Sequence, residues 1–282
     1  MNNVTILENI DLSGEADYIY KNGVWSTNST DGVATAADDI LIFSSTSAEI
    51  LSKLTANNFE VKPFADVDIK ATLIFSGDLT ADGKLTFKSD DTNTAQLDEF
   101  SGTLTGDVTV ERYIPAKRAF RLLSTSVTTT SSIFENWQEN GTTPINLGTH
   151  ISGSDTGADG FDETTTGSPS LFISLNDVWE PIGNTNVNSL SAGTPYRLLV
   201  GGDRSINLTN NDAVAVPTRV RATGSMHTGF FSHTMATGAD FFNFIGNPYQ
   251  SVVDFSEVVA NHITGYLYLW DASIAREFGN GG

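Results

Sequence analysis

The sequence predicts an all-β chain in two consecutive parts: a β-solenoid-like or stacked β-arch region over residues 1–110, then a β-sandwich-like domain with one or two short helices over residues 111–282. Three observations lead there. No long window carries the 3.6-residue apolar period of an amphipathic helix, whereas short apolar alternations between Gly, Ser, Thr and Asn turns recur along the chain. Four phrases echo one another, Gly77-Asp-Leu-Thr80, Gly83-Lys-Leu-Thr86, Gly102-Thr-Leu-Thr105 and Gly106-Asp-Val-Thr109, with SGDLT at Ser76 and SGTLT at Ser101 standing 25 residues apart. The style of the sequence then changes between Asp107 and Val127: all seven lysines lie between Lys21 and Lys117, and all eight arginines between Arg112 and Arg276.

In the first part, short β-runs that end at glycine turns and recur at the length of one coil suit a solenoid, where each rung buries its apolar face on the next. A β-meander with Gly-Asp and Asp-Gly hairpin turns is the alternative. The clearest strands are Asp39–Phe43, Phe59–Lys62 and Ala71–Phe75, with Val24 and Trp25 expected to cap the hydrophobic column. Residues 1–111 hold 6 Lys against 19 Asp or Glu, so this is the more acidic half of a chain whose net charge is −19. At 282 residues without cysteine, the core is large enough to need no disulfide. The opening MNNVTILENIDLSGEADY has neither a basic n-region nor an apolar core, and no apolar run is long enough to insert in a membrane.

At the junction, Val108, Val110 and Ile114 face one way and Thr109, Glu111 and Tyr113 the other, as in a half-buried strand that Pro115 closes. A second strand is expected from Ala119. Lys117, Arg118 and Arg121 form the densest basic cluster and read as cations neutralising carboxylates at a domain seam rather than as an anion site.

Beyond the junction, Phe134 and Trp137 within Ser131–Gln138 suggest a helical turn with core aromatics. The loop GTHISGSDTGADGFDETTTGSPS sets Asp155, Asp159, Asp162 and Glu163 among glycines and hydroxyls, the hard oxygen donors calcium prefers. Asp155, Asp159 and Gly160 match the first, fifth and sixth places of an EF-hand loop, but Gly157 replaces the third ligand and Thr166 the glutamate at the twelfth, so an EF-hand is rejected. A looser calcium site at Asp155, Asp159 and Asp162 stands against a solvated turn, and His150 adds little to it. Strands are expected at Ser170–Ser174, Tyr196–Val200, Thr218–Ala222, Phe241–Ile245 and Tyr266–Trp270. A short helix is expected from the cap at Asp254, with Glu257 three residues on, and a turn at Gly246–Gln250, GNPYQ.

The run VTVERYIPAKRAFRLLSTSV, followed in order by IFENWQENG, GTHISGSDTGADGFDETTTGSPSLF, AGTPYRLLVGGDRSINL and FFNFIGNPYQSVVDF, resembles a module that recurs in large secreted and surface proteins of the Bacteroidota exported by the type IX secretion system. The likeness covers residues 101–272. It implies a β-rich, adhesin-like, extracellular or cell-surface setting and no known reaction; a secretion signal and a sorting domain would lie outside this chain, which is expected to continue past Gly282.

Function classes follow. The acidic balance argues against nucleic acid and against anionic lipid. There is no G-x-S-x-G elbow, no H-E-x-x-H and no phosphate-binding glycine loop. His227 and His233, six residues apart, would share a face only on a strand, and the acid pairs Asp90/Asp91 and Asp98/Glu99 would point to opposite faces. An enzyme is not expected. The first reading is a non-catalytic structural or adhesive segment of a larger surface protein, calcium-stiffened, whose partners are other domains of that protein or cell surfaces. The alternative is a carbohydrate-binding module of a polysaccharide-processing enzyme, with Trp179, Tyr196 and Tyr249 stacking on extracellular polysaccharide. A planar row of exposed rings would favour the second, and buried rings the first.

Overall fold

The computed structural model describes residues 4–6, 18–21, 24–26, 39–42, 47–98, 100–175, 178–210, 212–234, 243–254 and 268–272. Strands β1 (Val4–Ile6), β2 (Tyr18–Lys21) and β3 (Val24–Ser26) precede a first coil of β4 (Ile40–Ile42), β5 (Ser47–Ile50) and β6 (Leu54–Ala56). A second coil follows as β7 (Phe59–Val61), β8 (Asp66–Ile69) and β9 (Thr72–Phe75), and a third as β10 (Leu79–Ala81), β11 (Lys84–Phe87) and β12 (Gln96–Leu97). A fourth begins with β13 (Leu104–Thr105) and β14 (Val108–Ile114). Strands one coil apart pair in parallel, giving three faces: β4-β7-β10-β13, β5-β8-β11-β14 and β6-β9-β12. The solenoid is therefore present and the meander is not. The side chains of Val24 and Trp25, in β3, lie outside what the structure describes.

The echoing phrases are successive rungs. Leu79 of SGDLT stands beside Leu104 of SGTLT, and Thr86 of GKLT beside Thr109 of GDVT, so the 25-residue spacing is one coil. Inside, Ile40, Phe59 and Leu79 form one column and Ile50, Ile69 and Phe87 another, all buried, with Phe59 and Phe75 stacked at 5.4 Å between ring centres. At the corner before the first face, each coil clips the next. The Asp39 carboxylate accepts the Asn58 amide N–H, the Asn58 side-chain oxygen accepts that of Asp78 at 2.6 Å, and the Asp78 carboxylate accepts that of Thr103 at 2.7 Å. Two coils come so close that a Cβ on Gly102 would lie 1.9 Å from the Gly77 carbonyl oxygen, which is why glycine stands there.

The side of the second face away from the core carries an ion ladder that runs from coil to coil: Lys70 with Glu49 at 2.8 Å and Lys84 with Asp66 at 2.8 Å, both partly open to water, and Lys88 with the buried Glu111 at 2.6 Å. The lysines offset a like-charge contact in the same register, where Glu49 stands directly beside Asp68.

The second part consists of β15 (Ala119–Leu123), β16 (Val127–Thr128), β17 (Ser152–Ser154), β18 (Asp162–Glu163), β19 (Leu171–Leu175), β20 (Val178–Pro181), β21 (Tyr196–Val200) and β22 (Thr218–Met226). An antiparallel sheet in the order β15-β21-β19-β20 packs Leu171, Tyr196, Leu198 and Val200 inward, where the Trp137 ring meets Tyr196 edge-on at 5.3 Å. The short β17-β18 pair is parallel and bulged.

The two parts share a sheet. β22 returns antiparallel to β14 over seven residue pairs, from Val108 beside Gly224 to Ile114 beside Thr218, and β16 adds beyond it, so the solenoid's second face grows to seven strands. A bare β14 would offer an unpaired row of backbone donors and acceptors; β22 covers it. Val108, Val110 and Ile114 are buried as expected, but the alternation breaks between them, because Glu111, expected on the open face, is buried against Lys88 while Arg112 is exposed; a continuous core runs from Ile40 through β14 to Ile133, Ile151 and Met226. The expected boundary at residue 110 thus falls inside a strand that serves both parts.

Local departures have local causes. Ser131–Gln138 is a set of turns leading to a 3-10 turn at Glu139–Gly141, and it is held by reciprocal bonds in which the Ser132 N–H and hydroxyl reach the Glu135 carboxylate while the Glu135 N–H reaches the Ser132 hydroxyl. Residues 243–245 and 268–270, expected in strands, are irregular, and the rest of those two segments, like the helix expected after Asp254, lies outside the described residues. Arg121 does not seek a carboxylate first. It is buried and donates to the carbonyls of Pro115 and Lys117 at 3.2 and 3.1 Å, closing the turn that Pro115 starts.

Candidate functional site

The acidic glycine-rich loop folds around Asp162. Its two oxygens accept both Nη groups of Arg204, at 2.9 and 2.8 Å, and also the Ile151 amide at 2.9 Å and Gln138 Nε2 at 3.1 Å. His150 Nδ1 lies 3.2 Å away, and its other nitrogen is 3.1 Å from the Ile206 carbonyl. Arg204 is 3% exposed and the Asp162 carboxylate 15% exposed, so the pair is shielded from water. Burial pushes the Asp162 carboxyl up, but the hydrogen bonds from His150 and Arg204, the nearby imidazole and the Ile151 amide outweigh it and hold it well below the ordinary carboxylate range. Arg204 also donates to the carbonyls of Thr142 and Thr149, so one guanidinium ties three stretches of the loop region together.

This arrangement leaves the three expected calcium donors in different roles. Asp162 is engaged by cation and amide donors. The Asp159 carboxylate accepts Asn184 Nδ2 at 2.9 Å and its carbonyl accepts the Thr185 amide at 2.8 Å, while Asp155 is exposed. Among the described residues no group of three or more His, Cys, Asp or Glu stands together in a way that could hold a metal ion. Arg204 is the partner that sequence reasoning missed, and its signal was slight: an arginine in the turn GGDRS, just after a buried strand. Asp203 beside it caps that turn, accepting the Asn146 amide at 2.6 Å and the Ser205 amide at 2.9 Å.

The three expected stacking rings do not form a row. Tyr196 is 2% exposed, a core residue whose hydroxyl accepts the Ser191 amide at 3.1 Å, which corrects its assignment as a ligand platform. Alternation on β21 forces this, because Tyr196 shares a face with Leu198 and Val200. Tyr249 packs against His227 at 5.5 Å and donates its hydroxyl to the Gly229 carbonyl. Trp179 is half-buried, with its ring against Phe244 at 4.4 Å. His227 and His233 both lie past the end of β22, so no strand puts them on a common face. Asp90 caps its own turn by accepting the amides of Thr92 and Asn93, and Glu99 lies outside the described residues.

GNPYQ proves to be a clamp between the two parts. Leu97 of β12 donates its amide to the Gln250 carbonyl at 2.8 Å, and Gln250 Nε2 donates to the Ala95 carbonyl at 2.7 Å, so this turn covers the open end of the solenoid's third face. On the other side, Ser124 donates to the Asn247 carbonyl and Ser126 to Gln250 Oε1. A cleft of about 240 Å³ remains along this seam, but its side chains Ser124, Ser126, Asn247 and Gln250 already bond one another or nearby backbone. Gly246 lies where a Cβ would be 2.4 Å from the Gly193 carbonyl oxygen, so Gly246→Val is expected to displace the clamp. The check is amide exchange at Leu97, which should accelerate while exchange in β8 stays slow.

Comparison with models of protein families, with curated proteins and with solved structures finds no match to this chain.

Proposed function

We propose that this chain is a non-catalytic structural or adhesive segment of a larger secreted or surface-anchored bacterial protein, of the kind exported by the type IX secretion system. The solenoid acts as a spacer and the four-stranded sheet with its loops is what it presents. The observation that supports this best is the seven-stranded sheet common to both parts, which, with the clamp at Gln250, passes load from one to the other through backbone hydrogen bonds. The ordered resemblance over residues 101–272 supports the extracellular setting.

Labelling of intact cells that make the full protein tests this reading. Surface signal that disappears when type IX export is disabled is the expected result; signal only after lysis, in either background, would overturn it.

The bond between Asp162 and Arg204 stiffens the acidic loop without metal in this account. Thermal unfolding after chelation is therefore expected to be unchanged by millimolar calcium. A calcium-dependent rise in Tm would instead assign the exposed loop carboxylates, Asp155 among them, to a bound ion, because a ligand held only by the native state must stabilise it.

A further inference from the structure

Every strand of the β15-β21-β19-β20 sheet sends a side chain into one cluster on the side away from the core. Phe120 comes from β15, Arg197 from β21, Phe172 from β19 and Trp179 from β20; Arg197 and Phe172 stand directly opposite in register, and Trp179 stands opposite Ser174. The Arg197 guanidinium carbon lies 4.7 Å from the centre of the Phe120 ring, 4.4 Å from that of Phe172 and 5.5 Å from that of Trp179. Rings around a cation in this way attract it through their negative faces.

What separates Arg197 from the other arginines that are wholly or partly buried is its hydrogen bonding. Arg121, Arg204 and Arg221 all donate to carbonyl or carboxylate oxygens. Among the described residues Arg197 has no hydrogen bond and no ion pair; its Nε is buried without an acceptor, whereas its two Nη groups are not buried. In a chain of net charge −19, an arginine fixed in orientation by three rings yet given no anion is a fork held ready for one.

We propose that Arg197 and the rings around it bind a carboxylate-bearing sugar of the kind found in uronic-acid polysaccharides. The carboxylate takes the two Nη groups of Arg197, and the hexose lies across the rim of the ring cluster, because Trp179 already has Phe244 at 4.4 Å and the Arg197 guanidinium at 5.5 Å from its ring centre. The ring edges supply apolar contact to any pyranose, and the guanidinium selects the acidic one. Charge complementarity with the guanidinium is the argument for this occupant, since a carboxylate is the anion that Arg197 is not given by the described residues around it. Trp270, 56% exposed beside β15, extends the aromatic surface and donates its indole N–H to the Phe120 carbonyl, which leaves that carbonyl unavailable to an added peptide strand. The site deepens the adhesive reading and rests on it only for its exposure outside the cell, so binding by the purified chain is judged separately from export.

The test is calorimetric titration of the purified chain with polygalacturonate, a neutral β-glucan and poly-glutamate, repeated on Arg197→Met, Arg197→Lys and Trp179→Ala, with the thermal unfolding of each variant recorded. Binding to polygalacturonate alone is expected, weakened at least tenfold in Arg197→Met and in Trp179→Ala. Arg197→Lys, which keeps the charge and most of the packing but not the planar fork, is expected to weaken it as well and so decides the matter if Arg197→Met unfolds. Equal binding of the neutral glucan, equal binding of poly-glutamate, undiminished binding by a folded Arg197 variant, or no binding of polygalacturonate would each overturn the proposal.

Discussion

Asp162→Asn is expected to lower the unfolding free energy by about 3–5 kcal/mol, because it leaves the nearly fully buried Arg204 guanidinium without its carboxylate. Guanidinium or thermal unfolding measures this directly. Asn keeps the shape and one acceptor, so the loss reports charge rather than packing. The pH dependence gives a second signature. A carboxyl held below its ordinary value of 3.8 binds fewer protons in the folded chain than in the unfolded one, so its contribution is complete above that value and drains away as pH falls toward the folded one. Wild type should therefore lose stability progressively as pH falls below about 4, and Asp162→Asn should show a shallower acid limb. Equal acid limbs in the two proteins would show that the carboxylate does not carry the effect.

Phe59→Ala is the second large effect expected, at about 3–5 kcal/mol. Phe59 is wholly buried, stands in the column between Ile40 and Leu79, and stacks on Phe75, so its removal opens a cavity in the middle of the solenoid. Rungs pair only with the rungs above and below them, so a cavity in one coil weakens both of its interfaces. Because one core runs on through β14 into the second part, the loss is expected to appear in the unfolding of the whole chain rather than of the solenoid alone.

The solenoid was legible in the sequence because its determinants are local and repeated. Leu79 and Leu104 occupy the same place in SGDLT and SGTLT, and a period repeated along a chain is visible without any knowledge of contacts. The clips at the coil corner have a local counterpart too: Asp39, Asn58 and Asp78 stand just before the first residue of β4, β7 and β10, and Thr103 before that of β13. The strands β14, β19 and β21 were legible from alternation, but alternation says which residues share a face and not which face is the core. Tyr196 and Trp179 were therefore offered together as surface rings, and pairing separated them: Tyr196 shares the inner face with Leu198, while Trp179 lies on the side of Phe172 and Arg197.

What could not be read were contacts between residues far apart in the chain. Asp162 and Arg204 are 42 residues apart, Ser126 and Gln250 are 124 apart, and β22 returns to β14 across more than a hundred residues. Nothing in the composition of the acidic loop distinguishes carboxylates that wait for a cation from the ligand from those that receive one from the protein. The same holds for GNPYQ, whose residues are ordinary turn formers; only the fold shows that they close both the seam and the open edge of β12.

The central claim is that the solenoid and the second part form one mechanical and cooperative unit through β14, β22 and the Gln250 clamp. Scanning calorimetry of wild type and Phe59→Ala tests it most directly. A single transition is expected, with calorimetric and van't Hoff enthalpies that agree, shifted as a whole to lower temperature by the substitution. Two transitions, with only the solenoid's moved by Phe59→Ala, would contradict it and reduce the shared sheet to a contact between independent domains.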